Sequence, residues 1–236
     1  MNYRILLWDI DGTVLNFLEA EKCALRACFA KFAIGECTDE MIARYSDINR
    51  KYWEALERGE VTKQEVLVGR YRDFFAVEGI DMALAEPFNE EYQVRLGDTC
   101  IFCDNAFEII KGLHGKVKQY AVTNGTAVAQ ERKLKNSKLD TLLDGVFISD
   151  KIGHEKPTCA FFDAVFEGLN RDLGEGTYTK KDILIIGDSL SSDICGGNNA
   201  GICTCWYNPT HQMNNQGVRV DYEIADLNEL SQIIGK

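Results

Sequence analysis

Apolar positions recur along this chain with two different periods, and the change between them divides it. The first run, Ile5-Leu6-Leu7-Trp8, is unbroken and short, the pattern of a strand buried on both faces. From about residue 17 to 97 the spacing turns helical and no strand is predicted. Leu18, Leu25, Cys28, Phe29 and Phe32 mark a first helix, and a second runs from Thr38 towards Arg58 and stops at Gly59. Thr62-Lys63-Gln64-Glu65 has the form of a capping box, in which a hydroxyl and a carboxylate satisfy each other's free amides; it opens a third helix that ends near Gly79. Phe88, Tyr92 and Leu96 mark a fourth.

Beyond residue 100 helix and strand alternate. A helix with Phe107, Ile110 and Leu113 precedes a strand over 117–123, and a helix over about 126–136 precedes a strand over 146–149. A helix over 158–169 precedes the strongly apolar strand 183–187. A helix over 192–200, a strand over 202–206 and a terminal helix from Asp226-Leu227-Asn228-Glu229 complete the series. Such alternation predicts an α/β fold, a Rossmann-like doubly wound parallel sheet with helices on both faces. The first strand belongs in that sheet, since it would be an orphan beside a purely helical segment. The expected organisation is therefore a core from 1–15 and 98–236, with an inserted all-helical cap over 16–97. The cap should lie over the carboxyl end of the first strand, where it can exclude water and choose substrates.

Composition narrows the classes of partner. A length of 236 residues with 45% hydrophobic and 27% charged residues suits one globular unit with a substantial insertion. A net charge of −11 argues against nucleic acid or an anionic membrane as the main partner. No segment approaches the length of a membrane span, and the first apolar run, broken by Asp9 and Asp11, does not read as a signal peptide. Nine cysteines without a secretory signal read as reduced thiols in a cytoplasmic protein. Cys100-Ile101-Phe102-Cys103 has neither a second pair nor nearby histidines, so buried or incidental thiols are expected there rather than a metal. Cys203 and Cys205 should share one face of a strand.

The chemistry gathers where apolar strands end, which is where ligands bind in open α/β sheets. The first strand runs into Asp9-Ile10-Asp11-Gly12-Thr13, the second into Thr123-Asn124-Gly125, and the strand over 183–187 into Asp188-Ser189, with Asp193 a helical turn on; a loop offers Gly153-His154-Glu155-Lys156-Pro157. Carboxylates, a hydroxyl, amides and one lysine at a single sheet edge suit a divalent cation and a phosphoryl group. Asp9 and Asp188 can ligate Mg²⁺, with a backbone carbonyl near Asp11 as a third oxygen. Thr123 and Lys156 can bind phosphate oxygens, and amides after Thr123 add donors. Two acids one residue apart suit a two-step displacement, one as nucleophile and the other as acid and base. Taken singly, each fragment has a plainer reading: Asp11-Gly12 as a turn, Thr123-Asn124 as a helix cap, Lys156 as a solvated loop residue, Asp193 as a cap.

In order and together, these segments resemble the haloacid dehalogenase superfamily of phosphohydrolases over essentially the whole chain. The resemblance implies that Asp9 is the nucleophile, Asp11 the acid and base, Thr123 and Lys156 the phosphate contacts, and Asp188 a further Mg²⁺ ligand. Asp193 would support Lys156 or metal-bound water. The inserted helices resemble the C1 type of cap. Val122-Thr123-Asn124-Gly125, the 153–157 loop, and the run Gly196-Gly197-Asn198-Asn199-Ala200-Gly201 through Pro209 resemble the pyrimidine 5′-nucleotidase subgroup. That implies a small phosphomonoester substrate, a pyrimidine nucleoside monophosphate, with Asn124 also at the phosphate. Sugar-phosphate or phosphoglycolate phosphatases and phosphomutases are rival enzymes. A receiver-like signalling module is a rival of another class, disfavoured by the second acid and the cap. His154 is expected at a loop or substrate rim, and His114 and His211 in structural positions. Of Tyr45, Tyr52, Trp53, Tyr71, Phe74 and Phe75, most should form the cap core, with one or two lining the substrate pocket.

Overall fold

The computed structural model describes residues 3–235, so the outer bounds of the expected core, at 1 and 236, lie outside the described residues. Six strands, β1 (Ile5–Trp8), β2 (Lys118–Thr123), β3 (Gly145–Ile148), β4 (Ile183–Gly187), β5 (Cys203–Tyr207) and β6 (Tyr222–Ile224), form one parallel sheet. Four helices, α1 (Phe17–Phe32), α2 (Asp39–Glu57), α3 (Lys63–Glu78) and α4 (Ala85–Asp98), follow β1 as the helical block. The remainder are α5 (Ala106–Leu113), α6 (Ala127–Asn136), α7 (Ser149–Ile152), α8 (Cys159–Leu173), α9 (Cys195–Ala200) and α10 (Leu230–Ile234).

The strand order is β3-β2-β1-β4-β5-β6, the doubly wound arrangement expected from the alternation. The order reverses direction between β1 and β4, and at such a switch point a crevice opens beyond the carboxyl ends of the two strands. All four residues of β1 are buried. Ile5 and Leu7 pack with Phe161, Phe162 and Val165 of α8, whereas Leu6 and Trp8 pack with Ile110 of α5 and Leu230 of α10. Cover on both faces is why this strand reads as an unbroken apolar run. β6 has no counterpart in the sequence pattern; of its three residues only Ile224 is buried.

Helices α1–α4 surround an apolar cluster of their own that includes Leu25, Phe29, Tyr45, Tyr71, Phe74 and Phe88. The Thr62–Glu65 capping box is formed at the start of α3, which ends at Gly79 with φ 67°. Leu18, expected on the buried stripe of α1, is 65% exposed; its neighbour Phe17 packs against the cluster instead. The two chain crossings between this block and the sheet run side by side: Leu15 pairs with Phe102, and the Asn16 amide donates to the Ile101 carbonyl at 2.7 Å.

The cysteines carry no disulfide. Cys100 Sγ donates to the Lys133 carbonyl at 3.5 Å and Cys103 Sγ to the Gly12 carbonyl at 4.0 Å, and burial pushes the Cys103 thiol up to about 12. Cys203 and Cys205 do share a face, packed on the Leu6–Trp8 side of the sheet. Among the described residues no helix is long and apolar enough to cross a membrane.

Candidate active site

The sheet ladder continues one residue past β1, with the Asp9 amide donating to the Ile186 carbonyl at 2.9 Å. Gly12 then turns the chain with φ 98°, and a Cβ there would stand 2.5 Å from Asp188 Oδ2. Only a residue without a side chain permits both that conformation and that approach. Beyond the strand ends lies a cleft of about 190 Å³ that Asp9, Asp11, Thr123, Asn124, Lys156, Asp188 and Asp193 all line. Phe17, Trp53 and Glu57 of the helical block complete its wall. A larger groove, about 510 Å³, lies at the opposite, amino ends of the strands; its Lys118 is paired with Asp144, and none of the residues above reaches it.

Carboxylate oxygens of Asp9, Asp188 and Asp193 lie within 4.8 Å of one another. Lys156 Nζ donates to Asp9 Oδ1 at 2.7 Å, Asp193 Oδ1 at 2.6 Å and the Val122 carbonyl at 2.9 Å. Asp193 Oδ2 accepts from the Ser189 amide at 3.1 Å. Three carboxylates thus face one ammonium. Burial works against the charge on Lys156, but Asp193 and Asp9 outweigh it and raise its pKa above the lysine range. Burial pushes the Asp9 carboxyl well above the carboxylate range; Lys156 opposes this, while Asp193 and Asp188 add to it. Asp188 stands at the mouth of the cleft, open to solvent yet hemmed in by protein. That crowding, and then Asp193, push its carboxyl up to about 7, against a hydrogen bond from the Thr13 hydroxyl at 3.1 Å.

Asp9 Oδ2 is buried with no hydrogen-bond partner. An orphaned carboxylate oxygen is costly unless something positive satisfies it. Hard oxygen donors, surplus negative charge and that orphan oxygen fit a divalent cation such as Mg²⁺.

The remaining residues sort themselves by their partners. The Thr123 hydroxyl accepts from the Gly125 amide at 3.1 Å, which leaves its own proton free to donate. Asn124 is different. Its carboxamide donates to the Lys156 carbonyl at 2.9 Å and accepts from the Lys156 amide at 2.8 Å. These two bonds brace the lysine loop, and Asn124 also lines the cleft. Asp11 stands apart from the carboxylate cluster. Its Oδ2 accepts from Gln130 Nε2 at 2.7 Å and its Oδ1 from Lys133 Nζ, so α6 engages each oxygen once.

Sequence reasoning missed Gln130, Lys133, Glu57 and Trp206, whose indole N–H donates to the Asp188 carbonyl at 2.9 Å. For the first two a signal existed: positions 130 and 133 lie on the same side of α6 as the apolar Ala129 and Leu134, where a lysine is out of place. Of the six aromatics weighed in the helical block, Trp53 lines the cleft; Tyr45, Tyr71, Phe74 and Phe75 are core, and the Tyr52 hydroxyl donates to Asp73 at the surface. His114, His154 and His211 are exposed and outside the cleft.

Comparison with known proteins agrees with this geometry. The family model of haloacid dehalogenase-like hydrolases matches residues 6–207. The HAD-hydrolase YfnB of Bacillus subtilis is 38% identical over 98% of this chain and 95% of that protein. The pyrimidine 5′-nucleotidase PynA of Streptococcus pneumoniae is 31% identical over 100% of this chain and 97% of its own length. The pyrimidine 5′-nucleotidase YjjG of Escherichia coli is 26% identical over the full length of both. A crystal structure of YfnB, described as bound to magnesium and as revealing interdomain movement, superposes with a TM-score of 0.90 at 36% identity, covering 100% of both chains. The strand order, the carboxylate cluster at the switch point and a family match spanning most of the sequence lead to one conclusion: the chain belongs to the haloacid dehalogenase-like hydrolases.

Proposed function

We propose that this chain is a Mg²⁺-dependent phosphomonoester hydrolase that works through an aspartyl phosphate and acts on pyrimidine nucleoside monophosphates. The observation that carries the reading is Asp9: one oxygen is fixed by Lys156 and the other, in a cleft, has no partner. The nucleotide preference is supported by full-length similarity to PynA and YjjG, and by Phe17 and Trp53 in the cleft wall, which offer flat apolar surface to a base. Nine free thiols support a reducing compartment, the cytoplasm.

In this reading Thr123 and Lys156 hold the phosphate oxygens. The Asp9 carboxylate attacks phosphorus, the bond to the leaving oxygen breaks, and that oxygen takes the Asp11 proton as the alcohol departs. Water then attacks the same phosphorus and gives its proton to the Asp11 carboxylate. The bond between Asp9 and phosphorus breaks, inorganic phosphate leaves, and both acids are restored. Asp9, Asp188 and the main chain at Asp11 would hold Mg²⁺, which would offset the repulsion between anionic nucleophile and anionic ester. Asp193 keeps Lys156 charged and in place. Helices α1–α4 open and close over the cleft and choose the leaving group.

The test is phosphate release from a panel of nucleotides and sugar phosphates, with Mg²⁺ and with chelator. Release that requires Mg²⁺ and vanishes in Asp9→Asn is expected. Full activity in Asp9→Asn would overturn the aspartyl phosphate. Preference for sugar phosphates over pyrimidine nucleotides would overturn the nucleotide assignment alone.

A further inference from the structure

Asp9 and Asp11 stand one residue apart on the same turn, yet their surroundings differ completely. Asp9 faces the carboxylate cluster and Lys156, whereas each oxygen of Asp11 accepts one hydrogen bond from α6. Lys133 and Gln130 are each 0% exposed, and Asp11 is the carboxylate with which Lys133 forms its ion pair. The Phe17 ring lies 5.6 Å from Lys133 Nζ. The approach of Gln130 depends on Gly125, where a Cβ would stand 2.2 Å from Gln130 Nε2. Gln130 Oε1 has no hydrogen-bond partner, so this residue is not buried there for its own satisfaction.

Burying an ammonium and a carboxamide in a helix face is expensive, and apolar residues of similar volume commonly serve stability as well or better. A reason beyond packing is needed, and the place of Asp11 in the cleft wall supplies it. Donors from α6 on each oxygen hold Asp11 away from the cluster. Asp11 borders the catalytic cleft on one side and, on the other, a cavity of about 30 Å³ that also touches Gln130, Thr126 and Arg70.

We propose that Lys133 and Gln130 are positioning residues that hold Asp11 at the cleft wall as a proton carrier. The inference rests on the reading of Asp11 as acid and base. Neither residue touches the reacting atoms; both act through Asp11.

The experiment compares kcat/KM, which reports formation of the aspartyl phosphate, on two esters. One is the best alkyl phosphomonoester in the panel above, whose alkoxide must be protonated as it leaves. The other is p-nitrophenyl phosphate, whose phenolate leaves unaided. Lys133→Met should lower kcat/KM on the alkyl ester about 100-fold, the scale of positioned acid–base catalysis, and on the aryl ester by less than about 10-fold. In an Asp11→Asn background the same substitution should cost nothing further on either ester. Equal losses on both esters would show a role in folding only and overturn the inference, as would wild-type values on both. Asp11→Asn is the control: equal losses there would remove Asp11 as the acid, and this inference with it. If Asp11→Asn spares the aryl ester and Lys133→Met does not, the inference fails and the mechanism stands. Should Lys133→Met not fold, Gln130→Leu, which removes no charge, takes its place in the same comparison with the same deciding outcomes.

Discussion

Asp188 shows how a cluster of acids that fits a cation acts on a molecule without one. In the metal-free protein crowding and Asp193 push its carboxyl up to about 7, against roughly 4 in an unfolded chain. The folded state therefore binds the proton more tightly than the unfolded state. Stability is greatest below the unfolded value and falls as pH rises from about 4 to about 7. Asp188→Asn has no such proton to lose. Its urea midpoint in chelator should exceed that of the wild type at about pH 8, and the gap should close towards about pH 4. Mg²⁺ should raise the wild-type midpoint and leave the variant's unchanged. A gap independent of pH would contradict the account. The acids of this site were legible because each follows a buried strand, where a charge has no other reason to be. Lys133 was not, because a lysine on a helix ordinarily reads as solvated; only the fold shows that its face of α6 is turned inward against Asp11 and Phe17.

At the level of elements, most of the helices and strands were legible because hydrophobic period and capping chemistry agree. Thr62 is the clearest case: its hydroxyl accepts from the Glu65 amide at 3.3 Å while Glu65 Oε2 accepts from the Thr62 amide at 2.7 Å. Thr62→Ala should lower stability by about 1 kcal/mol, read as a lower urea midpoint with an unchanged denaturant slope. The elements that escaped were those without a period. β6 is too short to show alternation and is defined by pairing with β5. The π-helical turn Leu190–Ile194, which aims Asp193 back at Lys156, is too brief to differ in pattern from the start of a helix. The bracing of the lysine loop by Asn124 also escaped, since sequence cannot tell whether a carboxamide bonds the neighbouring main chain.

Across the whole molecule, the helical block touches the sheet on both sides of the cleft. On one side Lys63 Nζ, at the start of α3, donates to the Ser149 hydroxyl at 2.8 Å and to the Gly125 carbonyl at 3.4 Å, with Asp150 Oδ1 3.5 Å away. On the other, Glu57 at the end of α2 accepts from the Ser191 hydroxyl at 2.5 Å. These contacts join the block to the loops that carry Thr123 and Asp193; under the proposed opening and closing of the block, its closed form and an ordered phosphate site favour each other. No reacting group lies in the Lys63 latch. Removing it should shift the balance towards the open form and leave the chemistry of the closed form intact. Lys63→Met should therefore raise KM about threefold to tenfold, the scale of one or two polar contacts to a charged group, with a smaller change in kcat. A loss confined to kcat would mean instead that Lys63 supports the catalytic loops directly, because the cost of closing falls mainly on KM.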